Sequence, residues 1–468
     1  MTVEVKAEAA QVADQPASAA AEEAEKKCEK DDESTPKTLG KSSSYREESS
    51  FLSDPKEHEK KALIDLKKKL DDAILGNRLF PKQEKKEGIS KEPSDETEKK
   101  EECEQEMKTE EESFVEVDTD ISIWGIPLSP GKGNERTDIV LLKFLRAREF
   151  KTNDAFEMLK KTLQWRKEFK TDSILDEEDL GDDLGSAAYM SGVDRHGHPI
   201  CYNIFGVLDS EEIFDKTLAS EEKREKFLRW RVRLMEKGVR KLDFKANGVN
   251  SLVQINDLKN SLGPSKKEVR AAVNKAVALL QDNYPEFLAK NIFINVPFWY
   301  FAFHSLLSPF LTQRTRSKLV FARSSKVTET LLKYIPIQEI PIQYGGIKRE
   351  NDFEFSDSGH EPTEVVIKAG STETIEISSP ESGTTHIWDL IVVGWEVKYT
   401  EEFVPTDEKS YTMIIQKGKK MVSDEAMPVR KTFKNHEPGK IVLTVQNSSS
   451  GKKKRLFYRY KVKKASCC

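Results

Sequence analysis

The chain has 468 residues, 37% of them hydrophobic and 34% charged, with a formal net charge of -5, and this balance predicts an unfolded part beside a normally globular remainder. Its five cysteines show no metal-ligand spacing and no plausible disulfide framework, which indicates a reducing compartment. The acidic N-terminus lacks the apolar segment of a secretory signal, and no apolar run reaches about 18 residues. We therefore expect no transmembrane helix, and any contact with membranes is expected to be peripheral.

Residues 1–120 are predicted to form a long, disordered, acidic tail. The segment is rich in Glu, Lys, Ala and Ser and poor in aromatic residues, so it cannot bury enough apolar area to offset chain entropy. An exception lies near 62–75, where apolar residues follow one helical face: Leu63, Leu66, Leu70 and Ile74. This pattern predicts a short amphipathic helix that docks on a partner or, equally, a transient helix without a role.

Residues 121–184 are predicted to form a small helical subdomain. The stretch Ser122-Ile-Trp-Gly-Ile-Pro-Leu128 opens it, and Thr137 or Asp138 is expected to cap a helix that runs through Phe150. A second helix with apolar residues at helical spacing follows.

Between residues 185 and 350, short apolar runs alternate with helical patterns. This alternation is typical of an α/β domain with a largely parallel sheet. The predicted strands are 199–206, 249–255, 292–296 and 318–321, and the predicted helices are 221–242, 265–282 and 327–334.

From residue 351 to residue 468, the pattern changes to period-two alternation without helices. Gly, Pro, Ser and Asp separate the runs, and such a series of strands predicts an all-β sandwich. The predicted strands are 374–377, 386–399, 411–416, 441–446 and 456–462.

The stretch from Phe298 to Leu311 is dense in aromatic and aliphatic residues, and Pro297 fits the first position of a helix there. A helix that is apolar nearly all round is either buried or faces lipid. At about 14 residues it is too short to span a bilayer, which needs roughly 20. Two interpretations stay open, a core helix and a lid over an apolar cavity.

The chemistry-bearing residues do not form an enzyme motif. We find no Gly-rich phosphate loop, no nucleophile elbow and no paired metal ligands, so the sequence favours a binding protein without catalytic residues, metal or nucleic-acid partner. Glu286 follows a proline turn before one strand, and Lys318 begins the next. If these strands are neighbours, the two charges meet at a cavity edge; a surface salt bridge is the alternative. Cys467 and Cys468 leave lipidation open.

Several separate motifs between Thr137 and Gly346 resemble the CRAL-TRIO lipid-transfer family. They are Leu141-Leu-Lys-Phe-Leu-Arg-Ala-Arg-Glu-Phe150, Gln281-Asp-Asn-Tyr-Pro-Glu286, Asn291 to Val296 with the following Pro-Phe, Ser308-Pro-Phe-Leu, Ser317-Lys-Leu and Ile340-Pro-Ile-Gln-Tyr-Gly-Gly346. The β-rich C-terminal part resembles a GOLD (Golgi dynamics) domain. An acidic tail, a helical subdomain with a CRAL-TRIO lipid-binding domain, and a GOLD sandwich in this order resemble the plant patellins.

The resemblance implies that Glu286 and Lys318 bind the headgroup of an inositol lipid and that Arg148 supports them. Two neighbouring positions depart from the family pattern. Glu149 stands where inositol-binding relatives often carry a base, and Phe287 stands where the fungal transfer proteins carry an arginine, which speaks against phosphatidylcholine binding. The resemblance also implies a mobile gate helix, whose side chains divide between pocket and membrane: Phe298, Trp299, Phe301, Phe303, Leu306 and Leu307.

A basic run near the C-terminus is expected to contact anionic membranes, although a solvated, charged edge strand that prevents aggregation is the alternative. Its residues are Lys452, Lys453, Lys454 and Arg455.

These features favour a peripheral-membrane protein of the cytoplasm that binds and transfers a phospholipid, in the first place a phosphoinositide, and needs no other cofactor. The resemblance implies a setting in membrane trafficking, including the cell plate of dividing cells or the plasma membrane. The alternative is a trafficking adaptor, whose GOLD domain or tail binds proteins and whose lipid is only a sensor ligand.

Overall fold

The computed structural model describes residues 56–80, 120–128, 134–177, 180, 182–261, 267–297, 317–356, 359–422, 427–449 and 451–464. The predicted disorder of residues 1–55 and 81–119, the predicted gate helix with its six side chains, and Cys467 and Cys468 lie outside these ranges. Within the described ranges, no helix has both the length and the apolar character that crossing a bilayer requires.

Three helices and a short hairpin form the helical subdomain. In chain order they are α1 (Glu57–Leu75), the strands β1 (Ser122–Ile123) and β2 (Ile126–Pro127), α2 (Glu135–Ala147) and α3 (Thr152–Phe169).

The cap of α2 is Asn134 rather than the predicted Thr137 or Asp138. The side-chain oxygen of Asn134 accepts hydrogen bonds from the amides of Arg136, at 2.9 Å, and Thr137, at 3.3 Å. Asparagine is a strong N-cap residue because its carbonyl satisfies amides that lack a partner in the first turn. The helix therefore starts earlier than the sequence pattern predicts.

The amphipathic helix predicted near 62–75 is α1, and its apolar face is buried in the core of the helical subdomain. Leu66, Leu70 and Ile74 are at most 1% exposed and share a core with apolar residues of α2 and α3. Lys67 adds an ion pair with Asp138 of α2 at 2.8 Å. Because an amphipathic helix gains most of its stability from a covered apolar face, α1 belongs to this subdomain rather than to the tail in which the sequence analysis places it.

The α/β domain is built on a five-stranded sheet in the order β3-β4-β5-β6-β7. Strand β3 is antiparallel to β4, and all other neighbours are parallel, which confirms the predicted α/β class. The strands are β3 (Ala188–Val193), β4 (Pro199–Ile204), β5 (Leu252–Asp257), β6 (Leu288–Ile294) and β7 (Leu319–Phe321). The helices are α4 (Phe205–Leu208), α5 (Glu211–Thr217), α6 (Glu221–Val239), α7 (Lys267–Asn283) and α8 (Val327–Leu331).

The two faces of this sheet differ in chemistry. Tyr202, Val253 and Ile292 are fully buried on one face, where they pack in the same core as the residues of α8. Successive side chains of a strand point to opposite faces, and the other face carries polar residues that line a cavity between the sheet and helices α6 and α7: Asn203, Gln254, Asn256 and Asn291. Parallel strands that are covered on both faces usually form continuous apolar runs, so these amides set the cavity face apart.

The C-terminal part is a sandwich of two four-stranded antiparallel sheets, as predicted, in the orders β13-β10-β15-β8 and β12-β11-β14-β9. Its strands are β8 (Thr363–Ile367), β9 (Thr372–Ser379), β10 (Thr385–Val392), β11 (Val397–Pro405), β12 (Met413–Met421), β13 (Val429–Lys434), β14 (Gly439–Gln446) and β15 (Lys454–Lys463). The predicted strand 386–399 is two strands. Gly394, Trp395 and Glu396 all have positive φ angles and turn the chain between β10 and β11.

A cluster of ion pairs joins the sandwich to the segment that follows the α/β domain. Asp389 of β10 is fully buried and accepts hydrogen bonds from Arg349, Arg430 and Arg459 at 2.6 to 2.9 Å. Asp352 pairs with Arg430 at 2.7 Å and with Arg459 at 3.1 Å. Desolvation raises the pKa of Asp352, but its hydrogen bonds and charge interactions with the arginines outweigh that effect and hold the pKa below its usual value.

Candidate functional site

The two residues predicted to bind a headgroup form an ion pair. Glu286 lies in the turn between α7 and β6, and Lys318 directly precedes β7. Because β6 and β7 are parallel neighbours, their amino ends adjoin, and Lys318 Nζ lies 2.7 Å from Glu286 Oε2. The side chains are 27% and 19% exposed, respectively, so both remain accessible from solvent.

The backbone of Glu286 is held by a lysine that the sequence analysis did not single out. Glu286 has a φ angle of 56°, a conformation that non-glycine residues adopt infrequently. Lys143 of α2 donates to the carbonyl of Glu286 at 2.9 Å and to the carbonyl of Asn250 at 2.6 Å. Its Nζ also lies 4.3 Å from the centre of the Phe287 ring. Lys143, in the middle of the Leu141–Phe150 motif, thus fixes the turn that presents Glu286.

A buried polar cluster supports the same turn from the other side. Arg166 of α3 donates to Glu236 of α6 at 2.6 Å, and the hydroxyl of Tyr284 donates to the same carboxylate at 2.5 Å. Burial lowers the pKa of Arg166, but the charge of Glu236 outweighs burial and holds the pKa above its usual value. Desolvation and Glu236 both raise the pKa of Tyr284, so the hydroxyl stays protonated and continues to donate. The cluster joins the helical subdomain to the turn before Glu286.

Arg148 does not join this ion pair. It follows the last residue of α2, and its guanidinium donates to the carbonyl of Ala147 at 3.2 Å. Its described contacts include neither Glu286 nor Lys318. Glu149 is exposed and lies 3.4 Å from Lys151. A supporting role of Arg148 at the headgroup therefore stays a prediction.

Phe287, where the fungal transfer proteins carry arginine, is a core residue here. Its side chain is 1% exposed, and its ring packs edge-on against Trp124 with centroids 4.6 Å apart. It also lines the cavity of the α/β domain. The residue after the predicted headgroup ligand therefore supplies apolar surface instead of a charge.

The cavity lies between the sheet and helices α6 and α7 and has a volume of about 320 Å³. This volume falls in the range of small-molecule sites, roughly 300–1,000 Å³. Phe287 and Leu288, which directly follow Glu286, form part of its wall. Most of the wall is apolar and aromatic, with side chains that include Phe205, Phe227, Trp230, Met235, Leu280 and Phe293.

One charged side chain, Arg231 of α6, is part of this wall. Its guanidinium donates to Asn203 Oδ1 at 2.9 Å. No carboxylate lies within ion-pair distance of Arg231 among the described residues. Desolvation lowers the pKa of Arg231, as expected for a cation in an apolar environment without an opposite charge.

Three asparagines continue from Arg231 across the sheet. Asn203 Nδ2 donates to Asn256 Oδ1 at 3.0 Å, and Asn256 Nδ2 donates to Asn291 Oδ1. Because arginine can only donate, Asn203 must present its oxygen to Arg231, and this fixes the direction of the other amides. The row ends on Asn291 Nδ2, which has no acceptor in the described chain. Sequence reasoning missed the row, although polar residues in central strands were a usable signal.

The basic run near the C-terminus divides into two halves. Lys452 and Lys453 are exposed in the connection between β14 and β15. Lys454 is 8% exposed and lies 3.4 Å from Glu396, and Arg455 makes a double hydrogen bond to Glu364 at 2.6 and 3.1 Å. Two of the four predicted membrane contacts are therefore already engaged within the sandwich.

Comparison with protein-family models identifies three consecutive domains. Residues 62–161 match the CRAL/TRIO N-terminal domain, and residues 184–346 match the CRAL/TRIO domain. Residues 368–454 match the Patellin-1-like C-terminal GOLD domain. The first match includes most of α1, in agreement with its position in the helical subdomain.

Two relatives from Arabidopsis thaliana cover nearly the whole chain. Patellin-4 of Arabidopsis thaliana is 50% identical over 93% of this chain and 92% of its own length, and Patellin-3 of the same plant is 44% identical over 92% and 79%. The phosphatidylinositol transfer protein SFH5 of Kluyveromyces lactis is 28% identical over 61% of this chain and 96% of its own. A crystal structure of Sfh5 aligns with a TM-score of 0.43 at 22% identity, over 59% of this chain and 84% of that one. The extent and identity of the Arabidopsis matches show that the chain belongs to the patellin family.

Proposed function

We propose that this protein binds a phospholipid, in the first place a phosphoinositide, in the cavity of the α/β domain and transfers or presents it at membranes. The observation that carries the proposal is the accessible Glu286–Lys318 ion pair next to the wall of an apolar cavity. A cation there offsets the charge of a lipid phosphate, and a carboxylate accepts hydrogen bonds from inositol hydroxyls. The name of the relative SFH5, a phosphatidylinositol transfer protein, supports the same chemistry.

The energetics of lipid transfer require such a cavity. Each methylene exposed to water costs about 0.8 kcal/mol, so two acyl chains cost on the order of 20 kcal/mol. A carrier must therefore enclose the chains while it keeps the headgroup site accessible at the surface. The cavity and the ion pair supply these two functions side by side.

The proposal is tested by vesicle-to-vesicle transfer of labelled phosphatidylinositol. We expect Lys318→Ala to abolish transfer, because the desolvation of the lipid phosphate is no longer offset, and Glu286→Ala to abolish it because the inositol hydroxyls lose their acceptor. The matched control is Lys326→Ala, which removes an ion pair with Glu329 that is more than half exposed on both sides. Melting temperatures report on folding. Wild-type transfer rates in both pair variants would contradict the assignment of the headgroup site.

We further propose that the protein acts in the cytoplasm and at peripheral membranes in trafficking, including cell-plate formation, as its family suggests. A trafficking adaptor is the second candidate function. It is favoured by the exposed side chains of Tyr411, Met413 and Ile414 in and before β12, which lies at the edge of its sheet. The transfer assay separates the two, because a carrier moves lipid between vesicles whereas an adaptor only senses it, and native mass spectrometry that finds no lipid in the purified protein would favour the adaptor.

A further inference from the structure

The interior of the cavity has its own polar centre, apart from the ion pair at its edge. Arg231 lines the cavity, and the described chain offers it no carboxylate. A cation in an apolar wall is unfavourable unless an opposite charge or strong acceptors surround it. Asn203 supplies one acceptor, and the other guanidinium N–H groups have no acceptor among the described residues.

The amide row adds further donors along the same wall of the cavity, and its last residue, Asn291, lies two strands away from Asn203, roughly 10 Å at the usual spacing of strands. Asn291 Nδ2 has no acceptor in the described chain, and Gln254, which pairs with Asn291 in the sheet register, has no hydrogen-bond partner for its side chain among the described residues. Both residues line the same cavity as Arg231. A planar guanidinium matches the geometry of a carboxylate or a phosphate.

This centre is distant from the Glu286–Lys318 ion pair. Arg231 contacts Asn203 on β4, whereas Lys318 precedes β7, three strands away in the sheet order and roughly 14 Å at the usual spacing of strands. Asn291 lies nearer the ion pair, since it is paired with Leu319, the residue after Lys318. Asn203 and Asn256 are the penultimate residues of β4 and β5, at the carboxyl ends of parallel strands, where α/β sheets commonly bind ligands. A ligand phosphate at Arg231 therefore lies in a different part of the sheet from one at Lys318.

We propose that Arg231, held by Asn203 at one end of the row with Asn256 and Asn291, forms an interior oxyanion site that binds the carboxylate or phosphate of a single-chain amphiphile with its head directed into the cavity. The inference rests on the proposed lipid-binding function and extends it to a second ligand class. The apolar walls would enclose the chain of the amphiphile, and Arg231 would balance its charge.

The test measures binding of four probes to the delipidated full chain by equilibrium dialysis: oleate, oleoyl lysophosphatidate, oleyl alcohol and inorganic phosphate. We expect Arg231→Gln to weaken both anionic amphiphiles by about 10- to 100-fold, the usual effect of losing a hydrogen bond to a charged group. Binding of oleyl alcohol should weaken by less than about threefold, because this probe has the same acyl-length chain as the anionic probes but carries no charge. Arg231→Lys should lie between wild type and Arg231→Gln, since it keeps the charge and loses the planar fork.

The matched control is Arg229→Gln on the same helix. Arg229 pairs with Glu177 and donates to the carbonyl of Phe169, and it does not line the cavity, so its loss should leave all four affinities unchanged. Equal weakening of oleate and oleyl alcohol in Arg231→Gln would overturn the oxyanion site, and so would unchanged binding. If inorganic phosphate binds as tightly as lysophosphatidate, the site binds a free anion, and the proposal that its ligand is an amphiphile is wrong.

Transfer of phosphatidylinositol separates this inference from the proposed function. If wild type transfers phosphatidylinositol but Arg231→Gln binds the anionic amphiphiles as well as wild type does, only the interior site is wrong. If wild type neither transfers phosphatidylinositol nor binds any of the amphiphiles, the lipid-binding function fails as well.

Discussion

In the sandwich, the buried Asp389 is surrounded by three arginines, whereas in the α/β domain Arg231 lines a cavity, donates to the amide of Asn203 and has no carboxylate partner among the described residues. In the first arrangement each arginine is paired with a carboxylate, so its charges stabilise the fold. The second arrangement lacks an opposite charge among the described residues, so we expect its charge to be available to a ligand. A buried charge that is paired with an opposite charge thus marks a structural position in this molecule, and a buried charge without such a partner marks a binding position.

The largest expected effect is at the cluster of ion pairs around Asp389. Asp389→Asn should reduce the free energy of unfolding of the sandwich by about 3–5 kcal/mol, because three arginines then lack their central carboxylate. Urea denaturation followed by fluorescence measures the loss.

Glu401→Gln is the matched control for this substitution. Glu401 is also fully buried in the sandwich, but desolvation raises its pKa and favours the neutral acid. An amide resembles that neutral acid in shape, so the change should stay within about 1 kcal/mol. Equal losses in the two variants would show that burial, rather than charge balance, determines the cost.

A second effect is expected in the basic run, where two cations are engaged and two are not. Replacing Lys452 and Lys453 by Gln should weaken binding to anionic vesicles by about 2 kcal/mol at low salt, about 1 for each lysine, which is roughly 30-fold. Replacing Lys454 and Arg455 should lower the melting temperature and change vesicle binding less. Vesicle sedimentation over a range of salt concentrations measures the difference, and a larger binding loss from the second pair would contradict it.

A smaller effect is expected when Arg231, which has no carboxylate partner among the described residues, is removed. Arg231→Met should leave the free energy of unfolding of the delipidated protein within about 1 kcal/mol of wild type or raise it, because an apolar side chain replaces an uncompensated charge. Arg166→Met is the contrasting variant, since Arg166 is paired with the buried Glu236, and its loss should cost about 3–5 kcal/mol. A comparable loss in Arg231→Met would make Arg231 a structural residue.

The smallest effect concerns pH. The pKa of Asp352 is lowered in the folded protein, so its stabilising contribution is fully present above the ordinary carboxyl pKa, near 3.9. It is lost as the pH falls through the lowered value. Unfolding free energies measured between neutral pH and about pH 3 should therefore fall less steeply in Asp352→Asn than in wild type. Identical slopes would show that Asp352 does not contribute to the acid sensitivity of the cluster.

Much of the fold and part of the candidate site follow from local sequence patterns. The alternation of strands and helices predicts the α/β domain, and period-two runs predict the sandwich, because periodicity reports which side of an element is buried. The meeting of Glu286 with Lys318 requires one further assumption, that their strands are neighbours, and the sheet order agrees with it. The strands β8 and β13 were missed, and their burial patterns show why, since both are mostly exposed or partly buried.

The sequence by itself determined which segments are amphipathic, where apolar and polar residues alternate along strands, and that Glu286 and Lys318 each lie near the start of a predicted strand. Only the tertiary structure decided that α1 packs inside the helical subdomain, that Lys143 holds the turn of Glu286, and that Lys454 and Arg455 are engaged while Lys452 and Lys453 are exposed. It also brought together Asn203, Arg231, Asn256 and Asn291, which no spacing rule connects. The physical reason is that periodicity depends on neighbours along the chain, whereas the compensation of a charge depends on neighbours in space.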